Sequence, residues 1–164
     1  MKRYMKRAYA EGIAGFTFYD ETGLELYRLA GEDDKYRQNR QKLLMTDADG
    51  RPVAEIVHKQ LMLHYFTIRC QSGFYVLLPN IKECFQFLIY GSTYRFAGDL
   101  AEGRFSLFDV DKSPVMTQKQ CWTSYGDGFE IELYLPEQEV FSLSVAVCAA
   151  LFLSTANESP AIIQ

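Results

Sequence analysis

The feature that most constrains the fold is a charge-free stretch near the C-terminus, Val140 to Asn157, with the sequence VFSLSVAVCAALFLSTAN. Thirteen of its 18 residues are apolar, so a helix built from it is apolar on every face. Pro136 suits the first position of a helix, and Glu137 and Glu139 complement the positive end of the helix dipole. We therefore predict a helix over residues 136–157 that must be buried.

Such a helix is either a membrane span or enclosed by the rest of the protein. At about 1.5 Å per residue, 18 residues reach roughly 27 Å, which is just short of the hydrocarbon core of a bilayer. Membrane anchors usually carry Lys or Arg at the cytoplasmic end, whereas both flanks here are acidic or neutral. The stretch is also rich in Ala and Ser, which suit close packing. We expect an enclosed helix and no transmembrane span.

Before this stretch, short runs of alternating apolar and polar residues are separated by turn residues as far as Leu135. A period of two is typical of β-strands, and turns such as Asp20 to Gly23 and Asp47 to Gly50 predict hairpins. Twelve strands are predicted, over residues 4–9, 16–19, 24–29, 43–46, 53–59, 64–70, 74–78, 85–90, 93–97, 104–108, 115–121 and 129–135.

The chain also repeats itself. Tyr27 to Gly31 (YRLAG) returns as Tyr94 to Gly98 (YRFAG), and Asp47 to Val53 (DADGRPV) returns as Asp109 to Val115 (DVDKSPV). Two matches in the same order predict a duplicated β-meander over residues 1–135. The alternative is chance recurrence, because hairpin turns favour Asp, Gly and Pro in any case.

A buried helix and many strands fit together. A barrel of twelve strands, left empty, would enclose water against apolar side chains, and one apolar helix would fill that interior. The chain length of 164 residues is that of one domain with a sizeable core. We therefore expect a mainly β fold in which the C-terminal helix forms the centre.

Taken in order, five segments and the final apolar helix resemble the LURP-one-related family, part of the tubby C-terminal-like group that also includes the phospholipid scramblases. The segments are Asp20 to Gly23, Tyr27 to Gly31, Asp47 to Lys59, Tyr94 to Asp99 and Asp109 to Val115. The resemblance covers nearly the whole chain. It implies a twelve-stranded, mostly antiparallel closed β-barrel around a central hydrophobic C-terminal helix.

The resemblance also implies a single tubby C-terminal-like domain over residues 1–164. What it implies about function is limited to binding, because the tubby branch binds phosphoinositides and the scramblase branch is associated with membranes. This chain lacks the dense strand-borne cluster of Lys and Arg of the tubby branch. Phosphoinositide binding is therefore not carried over to particular residues.

Charge and cysteine usage limit the partners and the compartment. The net charge of −4 and a pI near 5.2 argue against a nucleic-acid partner bound through bulk charge. Cys70, Cys84, Cys121 and Cys148 are widely spaced and form no CxxC pair, which is typical of reduced cysteines used as small apolar side chains. Because the basic start is followed by no apolar signal segment, we expect a cytoplasmic protein.

No pattern in the sequence indicates catalysis or a metal. His58 and His64 are six residues apart and lack a third ligand placed beside them. Glu130 and Glu132 share one face of a strand whose other face is apolar, so we expect them on a solvated outer surface. The GxSxG, GxGxxG, Walker and HExxH motifs are absent. We predict a non-enzymatic protein with no catalytic residues, no metal and no cofactor.

One candidate contact site remains, the basic start formed by Lys2, Arg3, Lys6 and Arg7. Each cation near an anionic membrane could contribute up to about 1 kcal/mol, an effect that salt screens. The competing interpretation is a solvated edge of the first strand, where lysines discourage pairing with other chains.

Together these observations predict a soluble binding or regulatory module that contacts an anionic phospholipid surface or another protein. In the lipid version the protein is peripheral to a membrane. The alternative is a small-ligand carrier or an enzyme with a cleft at the barrel rim, which would need a deep pocket with convergent polar groups. Assembly through exposed strand edges is a third hypothesis.

Overall fold

The computed structural model describes residues 1–10, 13–31, 40–60, 63–80, 85–123 and 126–158; within these ranges, the side chains of residues 8–10, 13–14, 122–123, 126–127 and 155–158 are not described. The twelve strands are β1 (Lys2–Ala10), β2 (Ile13–Tyr19), β3 (Glu25–Gly31), β4 (Arg40–Asp47), β5 (Pro52–Gln60), β6 (His64–Cys70), β7 (Gly73–Asn80), β8 (Phe85–Tyr90), β9 (Arg95–Asp99), β10 (Arg104–Phe108), β11 (Pro114–Thr123) and β12 (Gly126–Leu133). A single 3₁₀ turn, Pro136–Gln138, leads into the helix α1 (Glu139–Glu158).

Each strand pairs antiparallel with the next, and β1 pairs with β12 to close the barrel. The predicted twelve-stranded antiparallel barrel with one C-terminal helix is confirmed. Three predicted strands have the observed bounds, namely 64–70, 85–90 and 104–108. The predicted strand 93–97 is displaced, because β9 begins only at Arg95.

The helix fills the barrel. Every residue from Phe141 to Leu151 is at most 4% exposed, so this part of the charge-free stretch is enclosed by the inner faces of the strands. By length and composition alone, Pro136–Ser154 would also be long and apolar enough to cross a membrane. Helix burial on all sides explains why the sequence carries no polar stripe there.

Phenylalanines occupy much of the space between α1 and the strands β8 to β10. The ring of Phe152 stacks on Phe85 with centroids 5.0 Å apart, and Phe96 stacks on Phe105 at 5.7 Å. Gly98 makes room for this cluster, since a Cβ there would lie 2.3 Å from Cδ1 of Phe105. The glycine that ends the YRFAG motif is therefore required by close packing.

The two hairpins that share the D-x-D-x-x-P-V pattern also share an irregularity. In each, the ladder shifts register beside the turn, so that Thr46 pairs with Pro52 and Phe108 pairs with Pro114. The hairpins β4–β5 and β10–β11 lie six strands apart in the barrel. The β2–β3 hairpin lacks this pattern and yet shifts register in the same way, at Tyr19–Glu25. The irregularity therefore follows the turn, and the duplication of residues 1–135 stays a prediction.

Placing a charge inside the barrel tests the role of the helix. Val147 is 0% exposed and Leu63, outside the barrel, is 69% exposed. We expect Val147→Asp to lower the free energy of unfolding by several kcal/mol, because an unpaired carboxylate would be buried. Leu63→Asp is the control, and its melting temperature should be close to that of the wild type. Thermal unfolding followed by circular dichroism measures both, and a Val147→Asp protein as stable as the control would contradict an enclosed helix.

Candidate functional site

The basic start does not form one continuous outer patch. Met5 is buried in the core, and side chains of a strand alternate between its two faces. Arg3 and Arg7 therefore share the inward face with Met5, whereas Lys2 and Lys6 lie on the outer face of β1. Of the four predicted contact residues, the structure places two at each face of the strand.

Arg3 holds the start of the helix. Its Nε donates to Oε1 of Glu139 at 2.6 Å, and the hydroxyl of Tyr27 donates to Oε2 of the same carboxylate at 3.2 Å. Burial raises the pKa of Tyr27 to about 12, and the charge and hydrogen bond of Glu139 add to this effect. The carboxylate is thus shared by two strands, β1 and β3, at the point where α1 begins.

Arg7 holds the other end of the helix. Its guanidinium donates to Oγ of Ser154 and lies over the ring of Phe16, 5.5 Å from the ring centroid. On the outer face, Lys2 pairs with Glu130 at 3.2 Å and the N-terminal amine pairs with Glu132 at 3.0 Å. The positive charge near the N-terminus is therefore partly neutralised by β12.

The histidines have different environments. His58 points into the barrel and is 1% exposed, its ring stacked on Phe66 at a centroid distance of 4.2 Å. Nε2 of Gln60 lies 3.1 Å from its Nδ1, and the ring of His64 is 5.7 Å away. Burial, and to a smaller extent His64, lowers the pKa of His58 to about 4. Within the described residues, no three His, Cys, Asp or Glu side chains form a metal-binding group.

A cavity of about 700 Å³ lies at the barrel rim, between Pro52 of β5 and the start of the helix. Two of its polar side chains, Ser72 and Glu139, are bound within the protein, whereas Oε1 of Gln138 is buried and has no hydrogen-bond partner among the described residues. Oγ of Ser72 is 2.8 Å from the hydroxyl of Tyr75 and 3.2 Å from Sγ of Cys70. Glu139, which also lines this rim cavity, is already engaged by β1 and β3. Of the polar groups that line the cavity, Ser72 and Glu139 therefore have partners within the protein, while Gln138 offers an acceptor.

A second depression lies where the strands β8 and β9 separate. Among the described residues, β8 and β9 pair at Phe85–Gly98, Gln86–Ala97 and Phe87–Phe96, whereas β7 pairs with β8 as far as Tyr90. Beyond Phe87, the two strands separate around a groove of about 590 Å³. We call this the β8–β9 groove, lined by residues 86–90, 92–97, 108 and 110.

Large apolar side chains border the groove on both sides. Leu88 is 45% exposed, Tyr90 is 56% exposed and Val110, in the β10–β11 turn, is 69% exposed. Arg95, also exposed, is the charged residue among the lining side chains. Exposed apolar groups gathered around one groove are typical of interaction surfaces.

Local hydrogen bonds explain why the ladder opens. The backbone N–H of Tyr94 donates to Oγ of Ser92 at 2.8 Å, and the hydroxyl of Thr93 donates to Oδ1 of Asp109 at 3.3 Å. These bonds hold residues 92–94 to their own turn and to the β10–β11 turn. The segment is therefore drawn away from β8, and β9 starts late.

Comparison with known families now adds an independent observation. The family model described as LURP-one-related matches residues 4–152 of the chain. The chain belongs to the LURP-one-related family. No curated protein and no solved structure matches it. The match runs from β1 into α1, so both the rim cavity and the β8–β9 groove lie within the LURP-one-related domain.

Sequence reasoning about this LURP-one-related chain missed the groove. The signal available was the pair Leu88 and Tyr90, which fall on the outward face because Phe87 and Ile89 alternate with them. Two large apolar residues in succession on an outer face are unusual for a solvated strand. The signal that would have excluded Arg3 from a surface cluster was equally local, since Arg3 shares a face with Met5.

The two cations at the start of β1 provide a matched test. The side chains of Arg3 and Glu139 are 13% and 18% exposed, whereas those of Lys2 and Glu130 are 47% and 32% exposed. We expect Arg3→Ala to lower the free energy of unfolding by about 2 kcal/mol, because it leaves a mostly buried carboxylate with Tyr27 as its remaining described partner. Lys2→Ala should change it little. Urea unfolding measures both; equal effects would show that Arg3 does not hold the helix.

His58 should give the fold a dependence on pH. Its folded pKa lies below the ordinary value of 6.5. As pH falls from 6.5 towards 4, His58 binds a proton in the unfolded chain but not in the folded protein, so the free energy of unfolding decreases over this interval. Over this interval, we expect the free energy of unfolding of His58→Phe to fall by roughly 3 kcal/mol less than that of the wild type. Urea unfolding at the two pH limits measures the difference. An unchanged acid dependence in His58→Phe would contradict the assignment.

Proposed function

We propose that this LURP-one-related barrel is a non-enzymatic binding module that holds a protein partner in the β8–β9 groove. Barrels of this family are generally non-enzymatic. The observation that carries the proposal is the early end of the β8–β9 ladder at Phe87–Phe96, beside the exposed side chains of Leu88 and Tyr90. Covering such a surface is favourable, because apolar burial contributes about 25 cal/mol per Å².

The small-ligand alternative is less well supported. A carrier barrel needs an open interior, whereas α1 fills this one from Phe141 to Leu151. The rim cavity has the volume of a ligand site, roughly 300–1,000 Å³. Its Ser72 and Glu139 are already bound within the protein, and Oε1 of Gln138 alone is a weak set of convergent polar groups. The β8–β9 groove is open to solvent and borders a stretch of β8 that has no β9 partner on that side, which suits a macromolecular partner.

The anionic-lipid version rests on fewer residues than the sequence suggested. Arg3 and Arg7 bind the helix ends, which leaves Lys2 and Lys6 on the outer face. Two cations contribute about 2 kcal/mol at most near an anionic membrane. We therefore favour a protein partner; the cytoplasmic location and peripheral membrane association stay predictions. Salt-sensitive sedimentation with phosphatidylserine liposomes, lost in a Lys2→Ala and Lys6→Ala double variant, would favour the lipid version instead.

Selection of peptides tests the protein-binding proposal. A phage-displayed library of random linear peptides is selected on the immobilised full chain, and affinities of enriched peptides are measured by calorimetry. We expect a Leu88→Ser and Tyr90→Ser double variant to bind them about tenfold or more weakly, because central apolar contacts dominate interface energies.

The control variant changes two exposed leucines elsewhere, Leu24→Ser and Leu63→Ser, and should retain wild-type affinity. Thermal unfolding checks that both double variants are folded. Enrichment of no peptide, or equal binding by the groove variant and the control, would overturn the proposed function.

A further inference from the structure

Residues Leu88, Ile89 and Tyr90 form a strand edge that has a partner on one side. β7 pairs with them, with Val76 opposite Tyr90, while the ladder to β9 has ended at Phe87. In a strand, the N–H and C=O groups of successive residues point to alternate sides. Part of the backbone of this short edge therefore points into the β8–β9 groove.

We infer that the occupant of the groove is an extended peptide segment of a partner protein, which pairs with Leu88–Tyr90 as an added strand. The inference rests on the proposed function and specifies its partner. In this mode of recognition, main-chain hydrogen bonds supply affinity and alternate side chains supply specificity. The exposed apolar groups of Leu88 and Tyr90 lie on the outer face, where they contact alternate side chains of the added strand.

The opposite wall indicates the chemistry of the segment. It carries Phe108, the exposed Val110 and the exposed Arg95. The neighbouring acids are engaged, since Asp109 accepts the N–H of Val110 at 2.7 Å and Asp111 accepts a backbone N–H of its own turn at 2.9 Å.

Arg95 is different. Among the described residues it has no carboxylate within ion-pair distance. A peptide with apolar residues at alternate positions and one Asp or Glu facing Arg95 fits the groove in both polarity and charge.

A second copy of this chain fits less well. Strand addition needs a free, projecting strand, and the closed barrel pairs its strands around the whole circumference. Among the residues that the structure describes, the edge that a second copy could offer is the same recessed segment, 88–90. Two recessed edges cannot enter one another, whereas an extended segment can.

Main-chain pairing is tested with the peptides selected on the full chain. Hydrogen exchange is measured with and without peptide, and single N-methyl groups are placed along the peptide backbone. We expect the amides of Leu88–Tyr90 that face the groove to exchange more slowly in the complex. N-methylation at alternate positions should weaken binding about tenfold, whereas the positions between them tolerate it.

Charge recognition is tested in the same peptides. Arg95→Glu should weaken peptides that carry Asp or Glu about tenfold and strengthen their Lys-substituted versions. Arg51→Glu, in the exposed β4–β5 turn, is the matched control and should change neither. Failure of Arg95→Glu to invert the preference would overturn the assignment of an acidic partner residue.

The outcomes separate the two proposals. Peptides that depend on Leu88 and Tyr90 but tolerate N-methylation at every position, or bind as helices, would overturn strand addition and leave the proposed function standing. Absence of any groove-dependent peptide would overturn both. A concentration-dependent dimer that the Leu88→Ser and Tyr90→Ser variant abolishes would identify a second copy as the occupant and overturn the inference.

Discussion

The barrel closes around α1, and apolar burial alone does not fix how this helix is oriented inside it. A helix that is apolar on every face has no preferred rotation inside a barrel. Polar bonds supply that preference: Arg3 binds Glu139 at the helix start, Gln118 donates to the carbonyl of Ala146 at 3.4 Å near the centre, and Arg7 binds the last turns. Buried polar contacts of this kind are costly to leave unmade, which gives one arrangement of helix and strands an advantage over its neighbours.

The barrel was predictable because its signals are local and mutually consistent. Period-two runs predict strands, Asp and Gly predict the turns between them, and a charge-free stretch predicts the element that fills the centre. The aspartates act as expected: Asp20 and Asp47 each accept two backbone N–H groups of their own turns. The ends of the strands were harder to predict. The N–H of Leu24, for example, donates to Asp20 in the turn, so β3 begins at Glu25 although leucine is also common in strands.

The candidate site was only partly predictable. A run of four cations within six residues suggests a charged surface, yet strand geometry divides it between two faces, and the inner pair has partners more than 130 positions away. The groove was missed for a related reason. Thr93 and Tyr94 are good strand residues, but Ser92 and Asp109 bind them in other ways. Local side-chain hydrogen bonds compete with strand pairing. Which of the two forms depends on the neighbours that the tertiary structure brings close, and composition and periodicity do not reveal those neighbours.

The opening between β8 and β9 lies in an otherwise closed sheet, and this position favours a role in binding. Closing a barrel removes strand edges, and sheets that keep an edge usually protect it with charge or proline. On β1 and β12 the outer face carries Lys2, Lys6 and Glu130. Within the described residues, β7 pairs with β8 as far as Tyr90, whereas the ladder between β8 and β9 ends at Phe87, and Leu88 and Tyr90 lie beside that opening. An edge of three residues is too short to template a sheet between copies, but it is long enough to orient a strand whose side chains cover the two apolar groups. The combination of a short free edge and an apolar outer face therefore favours a transient partner over self-assembly.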